Sequence, residues 1–412
     1  MKGTEKENGI SAQERLWSQD FILLCLVAVV ARLAFTCQYT AIPLFVQEIG
    51  NGKAQAGMAA AVYSLTALAF RPFMGTMVDC CSRRFTMGLG VVVFTAAMGI
   101  YLFLGSSVTL GVVYLLQGVN GIAFSALTVG MTTACTDVVP LSRLTKGIGI
   151  FGLSSTIANA FAPALALHMI GSSGGYRTYF TAAGIISFAG FVGILLIRYE
   201  KRLKGGKISA PARGAEEKES RVFWEKFVER SAVFGSLMVI LVMFAASSLN
   251  NFLPTLAEEY SILNISLFFT LQAVGTAVSR LGADGVSRKI GYMPALIVGY
   301  ACYILGFIGI FIMFSDGLVI AMGFFCGIGQ GLTQTILNMA AVIRAPQNRR
   351  GSANATFYMA MDIAIGLGGY FWGIIADVAG TRMVYLGTAL VVGAVTAYTS
   401  LFHKKLDKKI FH

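Results

Sequence analysis

Long apolar runs separated by short polar segments dominate the chain. Runs such as "FILLCLVAVVARLAFTCQYTAIPLF" and "VYLGTALVVGAVTAYTSLF" approach or exceed the roughly 20 residues that a helix needs to cross hydrocarbon. They are too numerous for a signal peptide or a single anchor. The pattern predicts an all-α integral membrane protein with twelve transmembrane helices, over residues 20–48, 55–78, 85–104, 108–135, 144–171, 177–198, 232–257, 261–284, 292–314, 316–342, 351–377 and 382–403.

One long polar segment interrupts this pattern at the middle of the chain. It is charged, is rich in Gly, Ala and Ser in its first part, and is too polar to cross a membrane, so it is predicted to be a linker. The predicted organisation is an N-terminal tail (1–19), a six-helix bundle (20–198), a cytoplasmic linker (199–231), a second six-helix bundle (232–403) and a C-terminal tail (404–412).

The two halves share landmarks at similar spacing. Arg71 can be laid over Arg280, and Pro140 over Pro346, with offsets that scatter as loop insertions would produce. We interpret this as a duplicated six-helix unit, which predicts two pseudo-symmetric bundles with a substrate site near mid-membrane between them.

Charge then predicts the orientation. Of the 32 Lys and Arg, 26 fall on one side of the predicted membrane, and three, Lys53, Arg177 and Arg382, fall on the other. This asymmetry predicts a multi-pass protein of the cell membrane with both termini in the cytoplasm. The formal charge of +12 therefore indicates a surface facing anionic lipid, and no nucleic-acid partner is expected.

Composition excludes several other classes of protein. The chain is 56% hydrophobic and 13% charged, and its seven cysteines show no spacing typical of zinc, so neither a metal nor a cofactor is expected. We find no Walker loop, zinc-protease motif or serine elbow, which argues against an enzyme. A channel is the main rival class, but nothing resembles a carbonyl filter or a charged ring.

The stretch "RPFMGTMVDCCSRR", residues 71–84, resembles the cytoplasmic loop signature of the major facilitator superfamily. Gly75 would allow two helices to approach closely, and Asp79 could pair with a base or cap a neighbouring helix. The resemblance implies a latch that holds one access state closed. We assign to it Arg71, Gly75, Asp79, Arg83 and Arg84, with Arg280 and Arg288 from the second half.

The sequence allows two alignments of the second half with the first. One places Arg280 on Arg71 and Arg288 on Asp79. The other places Asp284 on Asp79 and loses the match between the two arginines.

Two further stretches extend the resemblance over almost the whole chain. "YLLQGVNGIAFSA" is similar to the family's fourth-helix signature, but Tyr114 stands where an arginine associated with proton coupling is expected. "TIANAFAPALALHM" resembles a degraded Gly-Pro signature of exporters, in which Pro163 would bend the helix. The resemblance implies a twelve-helix, drug- or small-molecule-exporter-like transporter.

Ionisable residues inside the predicted helices are the best functional candidates, because burying each in hydrocarbon is costly. Arg32 is expected to bind a carboxylate or phosphate of the substrate, or else to pair with an internal acid. Asp362 is expected to carry a proton, or else to be a permanent partner of Arg32 or another base. Neutral polar residues are expected to complete a pocket with Arg32: Gln38, Tyr39, Asn120, Asn159, Asn250, Asn251, Gln272, Gln334 and Asn338.

The sequence thus predicts a secondary active transporter that works by alternating access. The favoured function is proton-coupled export of a small organic or amphipathic compound. The alternative is a carrier for small organic anions, by uptake or exchange, with Arg32 as the anion receiver; a channel or facilitative pore ranks third. The expected partners are a small-molecule substrate, the lipid bilayer and protons, and the chain is expected to act as a monomer.

Overall fold

The structure is a computed structural model that describes residues 16–49, 53–197, 229–312 and 315–410. Within these residues the chain forms twelve long α-helices, joined by short turns and single turns of 3₁₀ helix. Their bounds are α1 Gln19–Glu48, α2 Lys53–Cys80, α3 Arg83–Leu104, α4 Leu110–Val138, α5 Leu144–Ile170, α6 Gly175–Leu196, α7 Val233–Glu259, α8 Ser266–Ile290, α9 Tyr292–Ile312, α10 Asp316–Val342, α11 Arg350–Ala379 and α12 Thr381–Ile410. Most of the predicted N-terminal tail and of the predicted linker lies outside the described residues.

Ten of the twelve helices have predicted ends within three residues of those observed, and α8 and α12 do not. Helix α8 begins five residues later than predicted, because Ser261 and Asn264 adopt positive φ angles in the turn before it. It continues six residues further, until Gly291 ends it at φ 90°. The sequence predicts a loop after residue 284. In the structure Asp284 and Arg288 pair along one helix face and support the final turns of α8.

Packing repeats from one half to the other. In the first half α1 packs on α5 and α6, while α4 packs on α2 and α3, and α3 also packs on α6; the second half repeats each of these pairs six helices later. One hydrophobic core is built almost entirely from α1–α6, and a second comes from α7–α12. The prediction of an all-α protein with two pseudo-symmetric six-helix bundles is confirmed.

Ten of the described helices are long and apolar enough to cross a membrane. The two that fall short are α2 and α8, which occupy equivalent positions in the two halves and carry Arg71 and Arg280 near their middles. Charged residues, such as Arg71 and Asp79 in α2 and Arg280 and Asp284 in α8, lower the hydropathy of these two helices. The chain is a multi-pass membrane protein.

The two halves meet through α2 against α11 and through α5 against α8, with weaker contacts of α4 with α11 and of α5 with α10. The hydrogen bonds and ion pairs between the halves involve the last part of α2, α4 and α8, the first part of α3, α5 and α11, and the turns that precede α5 and α11. We call this the basic end, because Arg83, Arg288 and Arg350 lie there. The halves are therefore joined on one side of the bundle's middle.

Candidate functional site

Arg71 and Asp362 form an ion pair between the halves, near the middle of α2 and α11. The Arg71 Nε lies 2.5 Å from the Asp362 Oδ2, and the side chains are 4% and 28% exposed. Arg71 also donates to the Thr128 hydroxyl, and its guanidinium lies 5.2 Å from the centre of the Tyr358 ring. The pair therefore fixes a buried cation against a carboxylate that is partly exposed.

Arg280 occupies the equivalent position on α8 and also reaches across to the other half. Its guanidinium donates to the Gly152 carbonyl and to the Ser155 and Thr156 hydroxyls of α5, the last at 2.9 Å. A further donation, at 2.7 Å, goes to the Gln334 Oε1 on α10. Arg280 is 8% exposed, and none of these partners carries a charge.

The two arginines thus occupy pseudo-symmetric environments with one difference. Arg71 binds a residue of α4 and one of α11, and Arg280 binds residues of α10 and α5, their counterparts. Thr156 lies as far along the chain from Arg143, the residue just before α5, as Asp362 lies from Arg349, the residue just before α11. The two residues therefore hold the same position in equivalent helices. A neutral hydroxyl therefore stands in the second interface where the first has a carboxylate. This arrangement favours the alignment that pairs Arg71 with Arg280.

Arg32 lies near the middle of α1 and does not pair with Asp362. Its guanidinium lies 5.6 Å from the centre of the Phe151 ring on α5, one residue before the glycine that Arg280 binds. The Arg32 Nε is buried and has no hydrogen-bond partner in the described part of the chain. Arg32 and Arg280 are close enough for their charges to interact.

Asp79 caps the start of α11 across the interface. Its two carboxylate oxygens accept hydrogen bonds at 2.8 Å from the backbone N–H groups of Gly351 and Ser352, and one also accepts from the Ser352 hydroxyl. Such a carboxylate satisfies free donors at a helix N-terminus and interacts favourably with the helix dipole. Asp79 is therefore placed to stabilise contact between the halves.

Gly75 lies one turn earlier on α2, where the two helices touch. A Cβ atom at this position would lie 2.6 Å from the Ala355 Cβ and 3.1 Å from the Gly351 carbonyl oxygen. Only a residue without a side chain fits at this distance.

Asp137, at the end of α4, joins two arginines from opposite halves. Its carboxylate lies 2.9 Å from the Arg83 Nε and 3.3 Å from the Arg350 Nη1, and its side chain is 2% exposed. Arg83 also donates to the Gln347 carbonyl in the second half. Sequence reasoning missed Asp137 and Arg350 as interface residues. The available signal was their position. Asp137 lies at the end of α4 and Arg350 begins α11, so each flanks the loop between the fourth and fifth helices of its half.

The other two residues assigned to the latch are Arg288 and Arg84, and they make different contacts. Arg288 pairs with Asp284 on its own helix and donates at 2.9 Å to the Ser142 carbonyl in the first half. Arg84 donates to the Leu195 carbonyl at the end of α6, within its own half.

The predicted pocket residues divide into a buried group and an exposed group. Gln38 and Asn120 are buried between α1 and α4, where Asn120 donates to Gln38 at 3.2 Å. Gln272 donates to Gln330 on α10. Asn338 is buried, and its side-chain Oδ1 has no hydrogen-bond partner among the described residues. The structure brings Gln334 to Arg280 but does not gather this group into one cluster.

The exposed group comprises Tyr39, Asn159, Asn250 and Asn251. Tyr39 is 47% exposed and lies within electrostatic reach of both Asp362 and Arg71. Pro163 lies within α5, which continues through it to Ile170.

Comparison with known proteins then decides the family. Residues 24–369 match the family model described as Major Facilitator Superfamily. The chain belongs to the major facilitator superfamily. The resemblance predicted from the loop signature around Asp79 is confirmed.

Relatives within the superfamily are distant. The staphylopine export protein of Staphylococcus aureus (strain Mu50) is 20% identical over 372 residues, which cover 85% of this chain and 88% of that protein. Among solved structures, the human organic anion transporter MFSD10 has a TM-score of 0.73 at 13% identity and covers 92% of this chain and 98% of its own. A bacterial homologue of the iron transporter ferroportin has a TM-score of 0.71 at 15% identity, over 93% of this chain and 100% of its own.

Proposed function

We propose that this transporter exports a small organic compound in exchange for protons, and that the Arg71–Asp362 ion pair couples the two. The observation that carries the proposal is this pair's position, since it joins the halves at the middle of the bundle. Asp362 is the only carboxylate among the described residues in the middle third of a helix.

Protonation of Asp362 would act directly on the contact between the halves. An ionised Asp362 compensates the buried charge of Arg71, whereas a neutral Asp362 leaves that charge uncompensated. Removing one partner of a buried pair costs about 3 to 5 kcal/mol. Proton binding is therefore expected to weaken the α2–α11 contact and to open the basic end.

The path of the proton follows from the same geometry. The contacts between the halves lie on the basic side of Asp362, and its side chain is 28% exposed. We therefore expect protons to reach it from the opposite end of the bundle. If the basic end faces the cytoplasm, as the charge asymmetry predicts, a proton taken up from outside opens the inner side.

This scheme favours antiport, in which the substrate leaves the cell as the proton enters. After the proton leaves on the inner side, the ionised Asp362 can pair with Arg71 again and close the basic end around a bound substrate. The S. aureus relative is named an export protein for staphylopine, which agrees with export. Uptake or exchange of organic anions is the second candidate, which Arg32 favours because its buried Nε has no hydrogen-bond partner among the described residues.

The experiment measures a distance across the basic end as a function of pH. Spin labels at Phe85 and Asn348, which are exposed near the α2–α11 contact, report its opening in the purified protein in lipid nanodiscs, after Cys80 and Cys81 are replaced by serine. Acidification should lengthen this distance in the starting protein. Asp362→Asn should give the long distance at every pH.

The matched control is Asp284→Asn, which removes a carboxylate that pairs only along α8 in the described structure. This variant should keep the pH response of the starting protein. An Asp362→Asn protein with an unchanged pH response would refute the coupling proposal.

A further inference from the structure

The middle of the bundle contains more positive than negative charge. In the middle thirds of the described helices lie three arginines, Arg32, Arg71 and Arg280, and one carboxylate, Asp362. Asp362 binds Arg71. The other two arginines therefore lack a carboxylate partner among the described residues.

Uncompensated arginines at this depth are costly unless an anion joins them. Arg280 is buried against neutral oxygens of α5 and α10, which accept hydrogen bonds from its Nη1 and Nη2 without cancelling its charge. The buried Nε of Arg32 has no hydrogen-bond partner in the part of the chain that the structure describes. Both observations point to a ligand that supplies negative charge.

The two arginines converge on one short segment of α5. Arg32 lies over Phe151, and Arg280 binds Gly152, Ser155 and Thr156. Arg32 belongs to the first half and Arg280 to the second, so an anion bound by both would connect the halves.

We propose that the transported compound is an anion whose carboxylate or phosphate group binds Arg280 and Arg32 at residues 151–156 of α5. The group takes the place that Asp362 holds in the symmetry-related interface, where Thr156 leaves the carboxylate missing. Guanidinium groups bind such oxyanions through paired hydrogen bonds. The half-buried ring of Tyr358, which lies beside Arg71, suits an apolar or aromatic body on the compound.

This inference rests on the proposed exchange and explains how the two steps are linked. Closure of the basic end needs both interfaces. An ionised Asp362 completes the α2–α11 interface, and the substrate's anionic group completes the α5–α8 interface. The protein therefore closes the basic end when the proton has left and the substrate has bound.

The experiment supplies the missing carboxylate within the chain. Spin labels at Leu141 and Ile290, both exposed near the α5–α8 contact, report opening of this interface. At neutral pH, where the introduced carboxylate is ionised, Thr156→Asp should raise the ratio of closed to open protein by about tenfold over Thr156→Asn, its neutral isostere. Adding Arg280→Gln to Thr156→Asp should abolish the difference.

A second arm uses the protein with native Thr156. Benzoate, an aryl carboxylate, should shift the Leu141–Ile290 distance toward the closed value, and benzamide, its neutral analogue, should not. Arg32→Gln should weaken the benzoate effect, while Arg177→Gln, which removes an exposed arginine outside the site, should preserve it.

The outcomes separate this inference from the proposed function. If Thr156→Asp behaves as Thr156→Asn, or if benzoate and benzamide act alike, the anion site is refuted. Proton coupling is judged independently, by the response of Asp362→Asn at the Phe85–Asn348 labels on the other interface.

Discussion

The contact between Arg71 and Asp362 is the residue-level feature on which our proposal depends, and no local pattern in the sequence predicts it. The two residues are 291 positions apart. Sequence reasoning identified both, because charge inside an apolar run is conspicuous, but it assigned Arg71 to the latch and left the partner of Asp362 open. Gln38 shows the same limit, since its helix was predicted correctly but its side chain faces Asn120 inside the first half.

Gly75 gives the sharpest prediction at this scale. We expect Gly75→Val to separate the halves at the basic end, because its side chain would overlap Ala355 on α11. The matched control is Gly57→Val on the same helix, where an added Cβ would meet no atom within 4 Å. The Phe85–Asn348 distance should lengthen in the first variant only. Equal distances in both variants would show that close approach at Gly75 is not required.

At the scale of elements, the twelve helices were predictable because apolar length and turn residues are local properties. The ends of α8 were not, since its last turns are polar and depend on the Asp284–Arg288 pair and on Gly291. The cap that Asp79 provides to α11 involves both halves. The loop signature indicated that Asp79 would act there, but only the fold shows which helix it caps.

The cap on α11 predicts the effect of removing Asp79. Asp79→Ala leaves the N–H groups of Gly351 and Ser352 without their acceptor, at a cost of about 1 kcal/mol. The basic end should therefore open more readily, with its midpoint of opening shifted to higher pH. Asp377→Ala removes an exposed carboxylate near the other end of α11 and should leave the midpoint unchanged. A shift of equal size in both variants would argue against a specific cap.

At the scale of the whole molecule, duplication explains both what is shared and what differs between the halves. The repeated landmarks predicted two related bundles, and the helix packing repeats as expected. What the repeat could not predict is where its symmetry is broken. Asp362 and Thr156 are equivalent positions with different charge, and this difference assigns a proton to one interface and an anion to the other in our proposal.

Alternating access is the central claim, and a paired distance measurement on one preparation tests it most directly. The Leu141–Ile290 labels report the basic end, and labels at the exposed Ser172 and Leu263 report the opposite end. We expect acidification to lengthen the first distance and shorten the second, with a common midpoint. Two distances that lengthen together, or an opposite end that stays open whenever the basic end opens, would contradict alternating access and indicate a continuous pore.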